Sequence, residues 1–143
     1  MMNETTETPL VIITGAAGSL GSALTTQLSE NYKVVGLDRN ESEGIVGFDL
    51  ADGASVDAAL DEIRREHGEH IAAVIHLAAY FDFSGEENPL YEKVNVEGTR
   101  NLLRGLQKFQ IDRFIYSGTM LVHRPGTPGI ATTEETPIDP SWA

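Results

Sequence analysis

A glycine-rich segment between an apolar run and a helical pattern constrains the fold of this chain more than any other feature. Residues 10–14, Leu-Val-Ile-Ile-Thr, form a continuous apolar and largely β-branched run that predicts a strand buried on both faces. Leucines then recur every fourth residue over 20–28, which predicts one face of a helix. Between them, three glycines are spaced as Gly-x-x-Gly-x-x-Gly in the segment Gly15-Ala16-Ala17-Gly18-Ser19-Leu20-Gly21.

Each glycine has its own expected role in such a strand–turn–helix unit. Gly15 can take the tight turn, Gly18 lets the backbone approach a pyrophosphate, and Gly21 lets the helix lie close to the sheet. The helix N-terminus would offer free N–H groups and a partial positive charge to that phosphate. The alternative is an ordinary strand–turn–helix connection that binds no ligand.

Strand and helix patterns alternate along the chain up to residue 117. Further strands are predicted at 32–37, 45–48, 71–77 and 113–117, with helices around 56–63 and over 91–109 and a loop over 80–89. This alternation predicts right-handed βαβ crossovers and an α/β Rossmann-type fold. Its doubly wound parallel sheet would have strand order 3-2-1-4-5, with a ligand crevice between strands 1 and 4. Residues 118–143 hold four of the six prolines and no clear helix.

The composition narrows the functional classes. The 143 residues carry a net charge of −12, which argues against nucleic-acid and membrane-surface partners. The sequence has no cysteine, so disulfides, thiolate metal sites and cysteine nucleophiles are excluded, and no metal site is expected. No apolar run approaches the roughly 18 residues of a membrane span. We expect a disordered tail over 1–9 and one cytoplasmic, dinucleotide-binding domain over 10–143.

Two acidic residues follow predicted strands at positions where they could bind the adenosine half of a dinucleotide. Asp38 ends the second predicted strand, 20 residues after Gly18, at the position that binds the adenosine ribose diol in this type of fold. A carboxylate there favours NAD over NADP, although the neighbouring Arg39 could bind a 2′-phosphate. Asp49 and Leu50 follow the third strand and would contact adenine. An alternative interpretation makes this region the N-cap of a helix.

The fourth predicted strand ends in His76-Leu77-Ala78-Ala79, whose small residues leave room for a cofactor at the sheet edge. His76 is interpreted as a packed strand histidine, because no second ligand lies at a spacing suited to a metal.

Together these segments resemble the extended short-chain dehydrogenases/reductases, the NAD-dependent epimerase/dehydratase group. Two further segments carry the resemblance, Asn95-Val96-Glu97-Gly98-Thr99 and Tyr116-Ser117-Gly118-Thr119. The resemblance covers residues 10–143. It implies an NAD-dependent (alternatively NADP-dependent) oxidoreductase, epimerase or dehydratase that moves a hydride at a carbinol carbon. The substrate would be a nucleotide sugar or a similar hydroxy compound, and the longer protein would be a homodimer. The alternative is an inactive NAD(H)-binding sensor or scaffold.

The resemblance also implies roles for single positions. Asn95 would lie in the middle helix and brace the neighbouring strands, and Ser117 would lie beside the nicotinamide. Thr119 matches the active-site Ser/Thr whose hydroxyl binds the substrate oxygen; the alternative is a loop hydroxyl that caps local backbone. The pyrophosphate would be lined by Ala16, Ala17, Ser19 and Leu20, and the nicotinamide half contacted by Leu77, Ala78 and Ala79.

The chain departs from the family pattern at the catalytic base. The family uses a Tyr-x-x-x-Lys pair on the next helix, and none of the four tyrosines here has a lysine four residues later. Residues 134–142 resemble the segment that leads into that helix. We therefore expect the N-terminal portion of a longer enzyme, truncated before the sixth strand and the substrate domain, with apolar surface left exposed.

Overall fold

The strands and helices alternate as the sequence predicts. The computed structural model describes residues 8–84 and 86–140, so most of the predicted tail over 1–9 lies outside the described residues. The elements are β1 (Leu10–Thr14), α1 (Ser19–Leu28), β2 (Lys33–Asp38), β3 (Ile45–Gly47), α2 (Gly53–His67), β4 (His70–Ile71), β5 (Ala73–His76), a π-helical segment (Tyr91–Gly98), α3 (Thr99–Leu106), β6 (Gln110–Ile111), β7 (Phe114–Tyr116) and a 3₁₀ turn (Met120–Val122).

Five parallel strands form the central sheet, in the order β3-β2-β1-β5-β7. Counted along the chain, these are the first to fifth strands of the sheet, so the predicted order 3-2-1-4-5 is confirmed. The sequence order reverses between β1 and β5, where parallel α/β folds bind their ligands at the carboxyl ends of the strands. The central strand β1 pairs with β2 on one side and β5 on the other.

The segment predicted as one strand over 71–77 is divided between two strands in the structure, because its two parts pair with different neighbours. Ile71 pairs with Ile111 in the separate two-stranded sheet of β4 and β6. The N–H of Ala72 then donates to the carbonyl of Leu10 at 2.8 Å, and β5 joins the central sheet from Ala73. Residues 71–75 are apolar without interruption, so hydrophobicity alone does not reveal the change of partner at Ala72.

Alternate residues of β1 point to opposite faces of the sheet and enter two separate cores. On one face, Ile12 packs with side chains of α2 and α3, including the fully buried Leu60 and Leu102. On the other face, Val11 and Ile13 pack against α1. The helices therefore lie on both faces, as a doubly wound sheet requires.

Three helical details differ from the sequence pattern. In α1, Leu24 and Leu28 are partly buried, whereas Leu20 is 59% exposed because it lies at the carboxyl edge of the sheet beside the glycine turn. The predicted helix over 91–109 begins as a π-helix and ends at Leu106, although Phe109 still packs on the core.

In the described residues, no helix combines the length and apolar character that crossing a membrane requires.

The edge strand β7 exposes apolar side chains. Phe114, Ile115 and Tyr116 are 37%, 42% and 59% exposed, and Leu103 on α3 is 46% exposed. The sequence-based expectation of exposed apolar surface is therefore confirmed in this part of the chain, while its consequence for association stays a prediction.

Candidate functional site

The glycine turn after β1 is pressed between the loop after β5 and the start of α1. Gly15 has a φ of 72°, and a Cβ there would lie 3.0 Å from the backbone nitrogen of Ala78. A Cβ at Gly21 would lie 2.2 Å from the carbonyl oxygen of Gly15. A Cβ at Gly21 has no room, and one at Gly15 would be strained by the positive φ and tight against Ala78, so these two glycines allow the close approach of helix and loop to the turn.

The N-terminus of α1 is open to an anion. Its N-cap residue Gly18 provides no side-chain hydrogen bond, and the first turn contains no acidic residue. The N–H groups of a first helical turn have no intrahelical acceptor, so they can bind phosphate oxygens. Residues 17–20 are exposed, and a Cβ at Gly18 would meet only the carbonyl of Gly15, at 3.2 Å. The turn therefore fits a pyrophosphate.

Asp38 ties the end of β2 to this turn. Its Oδ2 accepts a hydrogen bond from the N–H of Ala17 at 3.1 Å, and its Oδ1 accepts one from the N–H of Asn40 at 3.1 Å. The adjacent Arg39 is exposed and forms no ion pair within the described residues. The structure thus brings the predicted ribose-binding carboxylate and the predicted pyrophosphate-binding turn together.

The segment between β3 and α2 caps the N-terminus of α2. Asp52 is the N-cap of that helix and accepts from the N–H of Ala54 at 3.0 Å, while Asp49 accepts from Ala51 at 3.0 Å. Leu50 is only 3% exposed, and a Cβ added to Gly98 would lie 2.7 Å from its Cγ. The helix-capping interpretation is therefore confirmed. The contact of Asp49 and Leu50 with adenine stays a prediction, and the Leu50 side chain belongs to the core.

A buried polar chain lies beneath the loop after β5. Thr14 Oγ1 lies 2.7 Å from Nδ1 of His76, and Nε2 of His76 lies 3.0 Å from Oγ1 of Thr99. Thr14 Oγ1 also accepts from the N–H groups of Leu77 and Ala78, at 3.1 and 3.0 Å. These contacts join β1, β5 and the start of α3.

The hydrogen bonds determine the protonation state of His76. Because Thr14 Oγ1 already accepts two N–H groups, its own proton must be donated to Nδ1, and Nε2 then carries the imidazole proton and donates to Thr99. Burial lowers the pKa of His76 to about 4, since the ring is only 1% exposed. His76 is thus a neutral, packed strand histidine, as interpreted from the sequence. The sequence pattern does not predict this contact of Thr99. The only signal for Thr99 in the sequence is its place in the Asn95–Thr99 segment.

Two residues predicted at the nicotinamide end, Ser117 and Thr119, follow the edge strand β7. The Ser117 hydroxyl donates to the carbonyl of His76 at 3.2 Å. Thr119 Oγ1 accepts from the N–H of Leu121 at 3.2 Å and caps the short 3₁₀ turn, so the local capping interpretation describes this contact. Asn95 lies in the π-helical segment, and its side chain bonds both backbone groups of Tyr80 in the loop after β5, at 2.7 and 2.9 Å. Its bracing of the neighbouring strands stays a prediction.

The loop after β5 contains a polar and aromatic cluster that the sequence pattern missed. The Tyr91 hydroxyl bonds the backbone of Asp82, and Asn88 donates to the Tyr80 hydroxyl at 2.9 Å. Desolvation and the nearby Asp82 carboxylate raise the pKa of Tyr80, whereas hydrogen bonds from Ser84 lower the pKa of Asp82. Polar residues before Pro89 predicted only a loop; the contacts that order it required the tertiary structure.

Within residues 8–84 and 86–140, no group of three or more potential ligands could hold a metal ion.

Comparisons with known proteins agree with this geometry. The model of the NAD dependent epimerase/dehydratase family matches residues 11–143. A 3β-hydroxysteroid dehydrogenase/Δ5→4-isomerase of Mycobacterium tuberculosis is 35% identical over 92% of this chain and 37% of the relative. An L-arabinose 1-dehydrogenase (NAD(P)(+)) of Haloferax volcanii is 29% identical over 88% of this chain and 47% of the relative.

A solved structure extends the likeness to three dimensions. The UDP-glucose 4-epimerase of Thermus thermophilus, in complex with NAD, superposes with a TM-score of 0.75 and 26% identity, over 93% of this chain and 45% of that chain. The chain spans less than half of the length of the curated relatives described above.

Proposed function

This chain belongs to the NAD-dependent epimerase/dehydratase family, and on that basis we propose that residues 10–143 form the NAD-binding domain of a hydride-transferring enzyme. The substrate would be oxidised or reduced at a carbinol carbon, as in a nucleotide sugar or a similar hydroxy compound. The net reaction would be dehydrogenation, epimerisation or dehydration, which share the hydride step.

One observation carries the proposal: the Asp38 carboxylate bonds the glycine turn beside the uncapped N-terminus of α1. The carboxylate would offer an acceptor to the ribose hydroxyls, and the adjacent helix N-terminus would offer donors to the pyrophosphate; these are the two polar features of an adenine dinucleotide. The carboxylate would repel a 2′-phosphate, and this favours NAD over NADP. Bound NAD in the structurally similar Thermus epimerase supports the same cofactor.

Different residues would bind the separate parts of the cofactor and position the substrate. The amides of Ser19 and Leu20 at the start of α1 would bind the pyrophosphate, since those of Ala17 and Gly18 already donate to Asp38 and to the carbonyl of Gly15. Asp38 would bind the ribose diol, and residues 77–79 the nicotinamide half. When bound, the cofactor supplies a hydride donor or acceptor at nicotinamide C4. Thr119 would hold the substrate oxygen: its Oγ1 accepts from Leu121, and within the described residues it donates no hydrogen bond, so its proton can bind that oxygen.

The proton transfer requires a base that these residues do not supply as a Tyr-x-x-x-Lys pair. In the family resemblance that pair lies on the next helix, where the lysine favours the phenolate. Cofactor binding without turnover is therefore the expected property of the 143 residues alone. The second candidate is an inactive NAD(H)-binding sensor or scaffold, which would hold the cofactor at the same glycine turn and at Asp38 without turnover.

A titration tests the proposal directly. NADH fluorescence should rise saturably on addition of the purified chain, with a dissociation constant below about 1 mM, the upper end of common cofactor and substrate affinities. Gly21→Val is the matched variant, since its larger side chain would separate α1 from the turn. Absence of NADH binding by the folded wild-type chain at millimolar concentration would contradict the proposal. To separate the enzyme from the sensor, the chain extended through a Tyr-x-x-x-Lys segment should reduce NAD with a hydroxy substrate.

A further inference from the structure

Two phenylalanine rings stand exposed on the loop after β5. Phe81 is 61% exposed and Phe83 is 94% exposed, and their ring centroids lie 4.8 Å apart at an interplanar angle of 86°. Burial of such rings is favourable because it removes apolar area from water, so a pair of exposed rings in contact can bind an apolar ligand. The rings contribute little to the core, and the fold does not explain them.

The loop that carries the rings is held in place on both sides of Phe81. The preceding residue, Tyr80, is bonded through its N–H and carbonyl to the side chain of Asn95. The following residue, Asp82, is bonded through its N–H and carbonyl to the hydroxyl of Tyr91, at 3.1 Å each. Since both neighbours are anchored to the π-helical segment, the rings are presented in a defined place, which lowers the entropy cost of binding.

The rings also lie next to the proposed nicotinamide site. The loop leaves the sheet at the carboxyl end of β5, and Ala78 contacts the glycine turn there. Phe81 follows Ala79 by two residues, a span of at most about 7 Å of extended chain. A compound reacting at the nicotinamide would therefore extend over this loop.

The charge of the loop discriminates between substrate classes. Between Ala79 and Lys93 the chain carries four acidic residues and no Lys, Arg or His; the acids are Asp82, Glu86, Glu87 and Glu92. A nucleotide sugar brings a diphosphate, which proteins bind with Arg, Lys or helix N-termini. An acidic loop with exposed rings disfavours that anion and favours an uncharged ligand.

From these observations we propose that the substrate is an uncharged hydroxy compound with an extended apolar face, of the hydroxysteroid kind, and that Phe81 and Phe83 receive this face. The inference rests on the proposed function, since it names the substrate class of the same site.

Fluorine NMR tests the contact on the whole chain. With 4-fluorophenylalanine at all five phenylalanines, the signals of the two loop rings are assigned from Phe81→Leu and Phe83→Leu. Androsterone, a neutral hydroxysteroid, should shift these two signals saturably, and UDP-glucose should not. Each ligand is titrated with and without NAD, so that the steroid contact is measured even if the cofactor fails to bind.

The double variant Phe81→Ser/Phe83→Ser should weaken androsterone binding about tenfold or more, as loss of roughly 1.4 kcal/mol or more of ring burial predicts. Its NAD affinity should remain within about twofold of wild type, a difference of only ~0.4 kcal/mol. Leu103→Gln is the matched control, because it removes an exposed apolar side chain from α3; it should leave the steroid affinity unchanged.

The outcomes separate the two proposals. Normal NAD binding with no androsterone shift, or with shifts caused by UDP-glucose alone, would overturn the substrate class and leave the proposed function standing. Equal androsterone affinity in wild type and the double variant would overturn the role of the rings. Failure of NAD to bind would count against the proposed function, whatever the steroid does.

Discussion

The Asp38 carboxylate accepts a hydrogen bond from the N–H of Ala17 at 3.1 Å, and this contact joins the end of β2 to the glycine turn that follows β1. The two residues are 21 positions apart in the chain but meet because β1 and β2 are adjacent parallel strands whose carboxyl ends share one edge. The same carboxylate is therefore both a support of the turn and the proposed acceptor for the cofactor ribose.

Asp38→Ala should weaken the binding of NAD more than the binding of NADP. Losing hydrogen bonds to a charged group costs about 1.5–3 kcal/mol, or roughly tenfold or more in the NAD dissociation constant. The NADP constant should rise less, since removing the carboxylate also removes its repulsion of the 2′-phosphate. Parallel titrations with both cofactors measure the ratio, and Asp38→Asn separates the charge from the bond to Ala17. Equal losses for both cofactors would refute the ribose assignment.

Gly21→Ala should destabilise the fold. The new Cβ would lie 2.2 Å from the Gly15 carbonyl oxygen and 2.8 Å from Ala16 Cα, so backbone must move. Overpacking of this kind costs about 1–3 kcal/mol in the free energy of unfolding, measured by urea denaturation. Gly118→Ala is the matched control, because a Cβ there meets nothing within 4 Å. Equal stability of the two variants would show that the turn relaxes freely.

The stability contributed by neutral His76 should be lost as the pH falls. Burial lowers its folded-state pKa from 6.5 to about 4, so the unfolded chain binds the proton first between these values. The stability advantage of wild type over His76→Gln should therefore shrink by about 3 kcal/mol between pH 7 and pH 4. Urea unfolding of both proteins across this range measures it. A constant difference would mean that His76 titrates alike in both states.

Asn95→Ala should release the loop after β5 without unfolding the sheet. The amide side chain bonds both the N–H and the carbonyl of Tyr80, and its loss leaves these groups to water. Hydrogen exchange of the Tyr80 amide should accelerate about tenfold or more, corresponding to loss of one or more net hydrogen bonds of about 1 kcal/mol each. Exchange at Ile12 in β1 should change little. Unaltered exchange at Tyr80 would show that the Asp82–Tyr91 contact alone holds the loop.

The fold class, the strand order of the central sheet and the place of the glycine turn could all be predicted from the amino-acid sequence. Those follow from local chemistry: β-branched runs form buried strands, and glycines mark positions such as Gly15 and Gly21 where no Cβ fits. The alternation of strands and helices then leaves few topologies, because crossovers are right-handed.

Contacts between groups that are distant in the sequence could not be predicted and became visible in the folded chain. It divided one apolar run at Ala72 between two partners, placed Leu50 in the core and bonded Asn95 to the backbone of Tyr80. It also fixed the tautomer of His76 through Thr14 and Thr99, which lie 62 residues before it and 23 after it. Residue type and spacing report what a segment can form locally, whereas hydrogen-bond partners depend on the packing of separate elements.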